Sequence, residues 1–234
     1  MTTAIFLSSL LLLPGCAQGG SAIDSKASDS GTKSPPSTGS PEATTAPPGG
    51  APPTAQAEAA SLDKAIFAGG CFWCVEAAFE KLPGVIGADS GYIGGKVPEP
   101  SYQQVAGGQT QHAEAVQVIF DPNRISYRQL VEVFWRNIDP FQADGQFCDR
   151  GQQYRSEIFV RNAAQRKVAE QTLQQIQERF SRAVATKITE AETFWRAEEY
   201  HQDFYRKSPA RYYSYRLGCG RDRRLKQLWG KDSR

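Results

Sequence analysis

The chain has 234 residues, 40% of them hydrophobic, and its 27 basic and 25 acidic side chains leave a formal charge of +2. Its densest basic cluster is Arg221, Arg223 and Arg224, far short of the broad footprint that phosphate polymers require, so nucleic acid is excluded as a partner. Residues 1–60 hold one aromatic, Phe6, and eight of the fourteen prolines, which leaves a folded unit of about 170 residues, enough for one core.

In chain order, the apolar run Ala4 to Leu13 is too short to span a bilayer and fits the h-region of a secretory signal. It ends in Leu13-Pro14-Gly15-Cys16, which is similar to the bacterial lipobox and implies that Cys16 is lipidated. Residues 17–60, rich in Ser, Thr, Pro, Gly and Ala, read as a disordered tether. The expected organisation is a signal segment over 1–16, a tether over 17–60 and a catalytic domain over 61–234. The protein is then exported and membrane-anchored through lipid alone, facing the periplasm or cell exterior.

Ala65-Ile66-Phe67-Ala68 reads as a short buried strand, and Gly69-Gly70 permits a sharp turn. The helix expected from Phe72 to Leu82 places the Cys71 sulfur near free backbone N–H groups and the positive end of the helix dipole. A thiol there ionises more easily, and the thiolate is the nucleophile. Val85 to Ile93 is a second strand and Glu114 to Phe120 a third, closed by Asp121-Pro122. Alternation puts Glu114 on the face of Val116, Val118 and Phe120. Two readings stand: on a core face its pKa rises and it serves as a general acid, whereas at a solvated strand end it is structural.

Ser126 with Gln129 forms a capping box for a helix to Asn137. The loop Asp139 to Gln153 carries Cys148-Asp149 and leads to Tyr154. Asp149 either orients a water or forms a turn, and Tyr154 either donates a phenolic hydrogen bond or fills the core; Tyr102 invites the same two readings. A strand at Ser156 to Val160, an Asn162-capped helix to about Ser181 and a strand near Thr186 to Thr189 follow. A short aromatic helix from Ala197 ends at Ser208-Pro209. The remainder has no clear period and is expected to be a long irregular, mobile tail carrying Cys219. The order β-α-β-β-α-β-α-β contains the split β-α-β pattern of a two-layer ferredoxin-like sandwich, an α+β fold.

Setting Cys16 aside, four cysteines remain, an even number that admits two structural disulfides. A domain of this size with four Trp does not need such staples. A Cys-His catalytic pair through His112, rather than His201, and a zinc site of Cys71, Cys74, Cys148 and His112 are further readings, although zinc lacks its usual second close ligand pair. Cys71 and Cys74 as a Cys-x-x-Cys pair would make a general thiol-disulfide oxidoreductase. A non-enzymatic metal- or peptide-binding module is the remaining alternative.

Gly69-Gly70-Cys71-Phe72-Trp73-Cys74-Val75-Glu76, Gly91-Tyr92-Ile93-Gly94-Gly95, Pro100-Ser101-Tyr102, His112-Ala113-Glu114 and Asp149-Arg150-Gly151-Gln152-Gln153-Tyr154 together resemble the A-type peptide methionine sulfoxide reductases. The resemblance implies that Cys71 attacks the sulfoxide sulfur while Glu114, helped by Tyr102 and Tyr154, protonates its oxygen. Asp149 helps hold a water, and Phe72 and Trp73 form the pocket for the S-methyl group. It implies the S epimer, a Cys71 sulfenic acid converted to a disulfide by a second thiol, and reset by thioredoxin or an exported equivalent without a cofactor. Position 74 is Cys where many relatives have Gly, Cys148 stands in place of an Asn-like residue, and the tail holds only Cys219. The resolving thiol is therefore ranked on mobility and reach: Cys219, then Cys74, then Cys148.

Overall fold

The computed structural model describes residues 61–232; the signal segment, the tether and Cys16 lie outside them. The elements are β1 (Asp63–Gly69), α1 (Phe72–Phe79), β2 (Val85–Ile93), α2 (Tyr102–Ala106), β3 (Ala113–Phe120), α3 (Tyr127–Arg136), β4 (Gly145–Gln146), β5 (Asp149–Arg150), β6 (Ser156–Val160), α4 (Ala163–Phe180), β7 (Lys187–Glu190), β8 (Trp195–Arg196), α5 (Phe204–Lys207), α6 (Pro209–Gly218) and α7 (Arg221–Trp229). The main sheet runs β7-β6-β1-β3-β2-β8. Its central β6-β1-β3-β2 block is antiparallel throughout, which is the order of the expected split β-α-β unit, and β7 joins parallel to β6. The α+β, two-layer architecture is as the element order implied.

The sheet's alternation assigns its two faces. Phe67, Val116, Val118 and Phe120 meet Phe79 of α1 and Leu130 and Phe134 of α3 in the main core. Ile66, Ala68, Ala113, Ala115 and Phe159 point the other way, under Ala191 and Phe194. β1 is flanked by strands on both sides and buried from Ala65 onward, which explains its uninterrupted apolar run.

Three local differences from the sequence reading have physical causes. α1 stops at Phe79 because Pro83-Gly84 forces a turn just beyond. α2 is started by a second capping box, Ser101 with Gln104, the same signal that starts α3 at Ser126 and Gln129. β8 pairs at Gly91 and Tyr92, where a Cβ on Gly91 would lie 2.4 Å from the Trp195 carbonyl oxygen, so only glycine admits the added strand.

The C-terminal segment is not irregular. Pro209 starts α6 at its first turn, and α7 follows Cys219-Gly220. These helices gain order from burying a narrow apolar face: Tyr212, Leu225 and Trp229 are buried, and Trp229 Nε1 donates to the Ile138 carbonyl at 3.1 Å. A disulfide between Cys148 and Cys219, Cα atoms 5.0 Å apart, ties the segment to the long loop. Among the described residues no helix is long and apolar enough to cross a membrane.

Candidate active site

Gly70 sits at φ +81°, and a Cβ there would meet Gln146 at 2.6 Å, so glycine alone lets β1 turn into α1 at this angle. The turn delivers Cys71 to the N-cap of α1, 6% exposed. The next backbone N–H, of Phe72, donates to Glu114 Oε2 at 3.1 Å. Glu114 lies opposite Tyr92 in the β2–β3 ladder, on the core face and 1% exposed, which decides between the two readings of that carboxyl. Burial pushes its pKa up to about 8, against the pull of the Phe72 N–H. The acid is therefore protonated at neutral pH.

Cys71, Glu114, Phe72, Trp73, Tyr102, Asp149 and Tyr154 converge on one cavity of about 60 Å³, together with Tyr215. That volume is about two waters' worth, suited to a small sulfinyl head. Trp73 is fixed on three sides: it stacks on Phe204 at 3.7 Å, meets Tyr215 edge-on, and donates Nε1–H to His201 Nδ1 at 3.1 Å. The loop that supplies His201 is tied to α1 by Glu76 Oε1, which accepts from the Asp203 N–H at 3.1 Å. Glu198 accepts from the Tyr102 N–H and the Tyr92 hydroxyl, both at 2.8 Å, and so anchors the Tyr102 wall. Burial, with Glu114 nearby, raises the Tyr102 phenol to about 12 and Tyr154 higher still, so both remain neutral donors. Tyr215 donates a short hydrogen bond to Asp149 Oδ2.

Cys71 does not ionise alone. Cys74 is buried three residues on in the first turn of α1, and its N–H donates to the Cys71 carbonyl at 3.1 Å. Burial pushes the Cys71 thiol up, while Cys74 falls to about 6, chiefly through the neighbouring Cys71 thiol. The pair loses one proton readily and resists losing the second, so a single negative charge is shared. This corrects the expectation of a Cys71 thiolate set by the helix terminus alone.

Of the three resolving candidates, Cys148 and Cys219 are bonded to each other; Cys71 and Cys74 are the free cysteines among the described residues. Neither the Cys-His pair nor the zinc site assembles. His112 accepts from the Gly95 N–H at 3.0 Å and donates to the Val97 carbonyl at 2.8 Å, which spends both ring nitrogens on a structural turn. The four residues of the zinc reading do not converge. Tyr215 was missed, although Tyr212, Tyr215 and Cys219 lie at helical spacing and share one face of α6.

The family model described as peptide methionine sulfoxide reductase matches residues 63–233. The chain is 50% identical over 171 residues to the peptide methionine sulfoxide reductase MsrA of Ligilactobacillus salivarius, covering 72% of this chain and 99% of that one. It is 45% identical over 183 residues to the MsrA/MsrB protein of Vibrio cholerae, 77% of this chain but only 48% of that protein. Among solved structures, reduced Mxr1 from Saccharomyces cerevisiae superposes with a TM-score of 0.61 at 33% identity, over 63% of this chain and 86% of that one. Methionine sulfoxide reductase A of Corynebacterium diphtheriae gives 0.57 at 28% identity, over 63% and 76%. A buried cysteine and a neutral carboxylic acid facing one small aromatic cavity agree with these matches, and the chain belongs to the peptide methionine sulfoxide reductases of the A type.

Proposed function

We propose that the chain reduces methionine S-sulfoxide, free or in oxidised proteins, through a cycle carried by Cys71, Glu114 and Cys74. The observation that carries this reading is the shared cavity, where Cys71 faces a protonated Glu114 between the rings of Phe72 and Trp73. A sulfoxide sulfur accepts a nucleophile only as its oxygen is stabilised, so thiolate and neutral acid are needed together. Cys71 attacks the sulfur, the oxygen takes the Glu114 proton, and methionine leaves with Cys71 as a sulfenic acid. The Cys74 proton then passes to the Glu114 carboxylate, which returns it to the departing hydroxyl as the Cys74 thiolate attacks. Water is released and a Cys71–Cys74 disulfide remains. An external dithiol such as thioredoxin supplies two electrons and two protons to restore the pair.

Cys74 is assigned as resolving thiol because it is free, buried and one helical turn from Cys71, with its N–H on the Cys71 carbonyl, whereas Cys219 is held by Cys148 at the end of an ordered helix. Asp149, braced by Tyr215, holds the polar side of the cavity, and Tyr102 and Tyr154 assist at the sulfoxide oxygen. For location, the run Ala4 to Leu13, the lipobox-like Cys16 and the polar tether support an exported lipoprotein; mass spectrometry of membrane-extracted protein tests this, with an acylated N-terminal Cys16 expected.

The function is tested by incubating reduced full-length chain with each epimer of methionine sulfoxide and, separately, with a disulfide substrate. Methionine released from the S epimer alone supports the reading. Disulfide exchange without methionine release would instead establish the general thiol-disulfide oxidoreductase.

A further inference from the structure

We propose that Arg221 is a positioning residue of the resolving step, its buried guanidinium holding Cys74 in the thiolate form that closes the disulfide on Cys71. This rests on the Cys71–Cys74 cycle above.

Arg221 is the first residue of α7 and is 1% exposed. A guanidinium stays cationic in proteins, and a charge at that depth needs an answering anion. What touches it is neutral. Nη2 donates to the Gly69 and Asn137 carbonyls at 3.1 and 2.7 Å, the group lies 4.4 Å from the centre of the Phe147 ring, and Nε is buried with no hydrogen-bond partner. Its neighbours differ: Arg216 pairs with Asp222 and Arg224 with Asp139.

The cation lies against the start of α1. Gly69 and Gly70 immediately precede Cys71, and Nη1 lies 3.6 Å from where a Cβ on Gly70 would be. The titratable and charged groups around Cys74 are Cys71, Glu114, Tyr205, Tyr212, Tyr215, Arg216 and Arg221. Glu114 and the tyrosines are neutral near pH 7, and Arg216 is matched by Asp222. Arg221 thus has no ion pair of its own, and the groups that it stabilises as anions are Cys74 and, on the far side of the cavity, Asp149. The lowered pKa of Cys74 agrees, with Arg221 behind the Cys71 thiol among its causes. The disulfide holds this cradle closed, since Cys148 follows Phe147 and Cys219 lies two residues before Arg221.

The chemistry needs no outside oxidant. The Cys74 sulfur attacks the Cys71 sulfenic sulfur, the S–S bond forms as S–O breaks, and hydroxide leaves protonated as water. A thiolate performs this attack and a thiol does not.

The test is iodoacetamide alkylation of Cys74 against pH in the full chain carrying Cys71→Ser, which leaves Cys74 as the titrating thiol at the start of α1. Arg221→Gln keeps a donor for the carbonyls and removes the charge; it should move the alkylation midpoint up by at least one pH unit, slowing labelling about tenfold near pH 6. Arg221→Lys should restore the parental midpoint. An unchanged midpoint in the Gln variant, or an equal shift in both variants, would overturn the proposal, because a purely structural arginine does not distinguish the two. Should the Gln variant fail to fold, Arg221→Lys decides alone: it keeps the charge and loses the guanidinium's fork of donors, so its midpoint must stay at the parental value, and a rise of one pH unit or more overturns the proposal. Failure of the Cys71–Cys74 cycle itself would be seen differently, as methionine release with no disulfide between those two residues.

Discussion

Replacing Glu114 with Gln isolates the acid on which the chemistry depends. With a pKa near 8, the carboxyl is about 90% protonated at pH 7 and only about 10% at pH 9. The thiol pair supplies the opposite limb, gaining its charge as pH rises through about 6. Single-turnover methionine release, followed by chromatography from about pH 5 to about pH 10, should therefore be bell-shaped, with limbs near those two values. The Gln variant keeps an N–H donor but no transferable proton, so its rate at pH 7 should fall by about 10²–10⁴-fold, or roughly 3–5 kcal/mol of barrier, and its alkaline limb should vanish. Stability should move the other way. The folded carboxyl holds its proton to a higher pH than the unfolded one, so the folded state binds more protons between about 4.5 and 8 and loses stability as pH rises through that window. The variant is free of that penalty and should be more stable at pH 7 by up to about 3 kcal/mol in urea unfolding. A Gln variant with the wild-type rate and alkaline limb would refute the argument for Glu114.

Cys71→Ser should release no methionine even with excess dithiothreitol, since the hydroxyl cannot make the first attack; activity in that variant would remove Cys71 as the nucleophile. Opening the disulfide with the double change Cys148→Ser and Cys219→Ser frees a loop of 71 residues, and calorimetry should show a loss of about 2–4 kcal/mol with the first turnover intact. Tyr215→Phe leaves Asp149 without its hydroxyl donor; a rise in KM with folding retained is expected, and an unchanged KM would make Tyr215 a packing residue only.

The sheet and its acid were legible because they follow period-two alternation: Val116, Val118 and Phe120 fix the face that Glu114 shares. Alternation does not say whether a strand's first residue is covered, and the cover comes from α1 and from Tyr102, far away in sequence. The helices α6 and α7 were not legible because their apolar faces are narrow: Tyr212 and Tyr215 in α6, and Leu225 and Trp229 in α7, keep helical spacing but stand among many charged side chains. The ranking of Cys219 followed from the mobility expected of that segment. A disulfide spanning 71 residues and a cation lodged beneath Gly70 both arise from tertiary contact, and no local spacing encodes them.

The most direct test of the cycle is disulfide mapping after one turnover. Reduced, desalted chain receives a single equivalent of methionine S-sulfoxide and is alkylated and digested with trypsin. Cys71 and Cys74 lie on one peptide, between Lys64 and Lys81. Their disulfide is seen as an unalkylated peptide lighter by two hydrogens, formed in step with methionine. The account predicts that product in wild type and in Cys219→Ser, and a persistent Cys71 sulfenic acid in Cys74→Ser. A Cys71–Cys219 cross-link, or full turnover of Cys74→Ser, would contradict it.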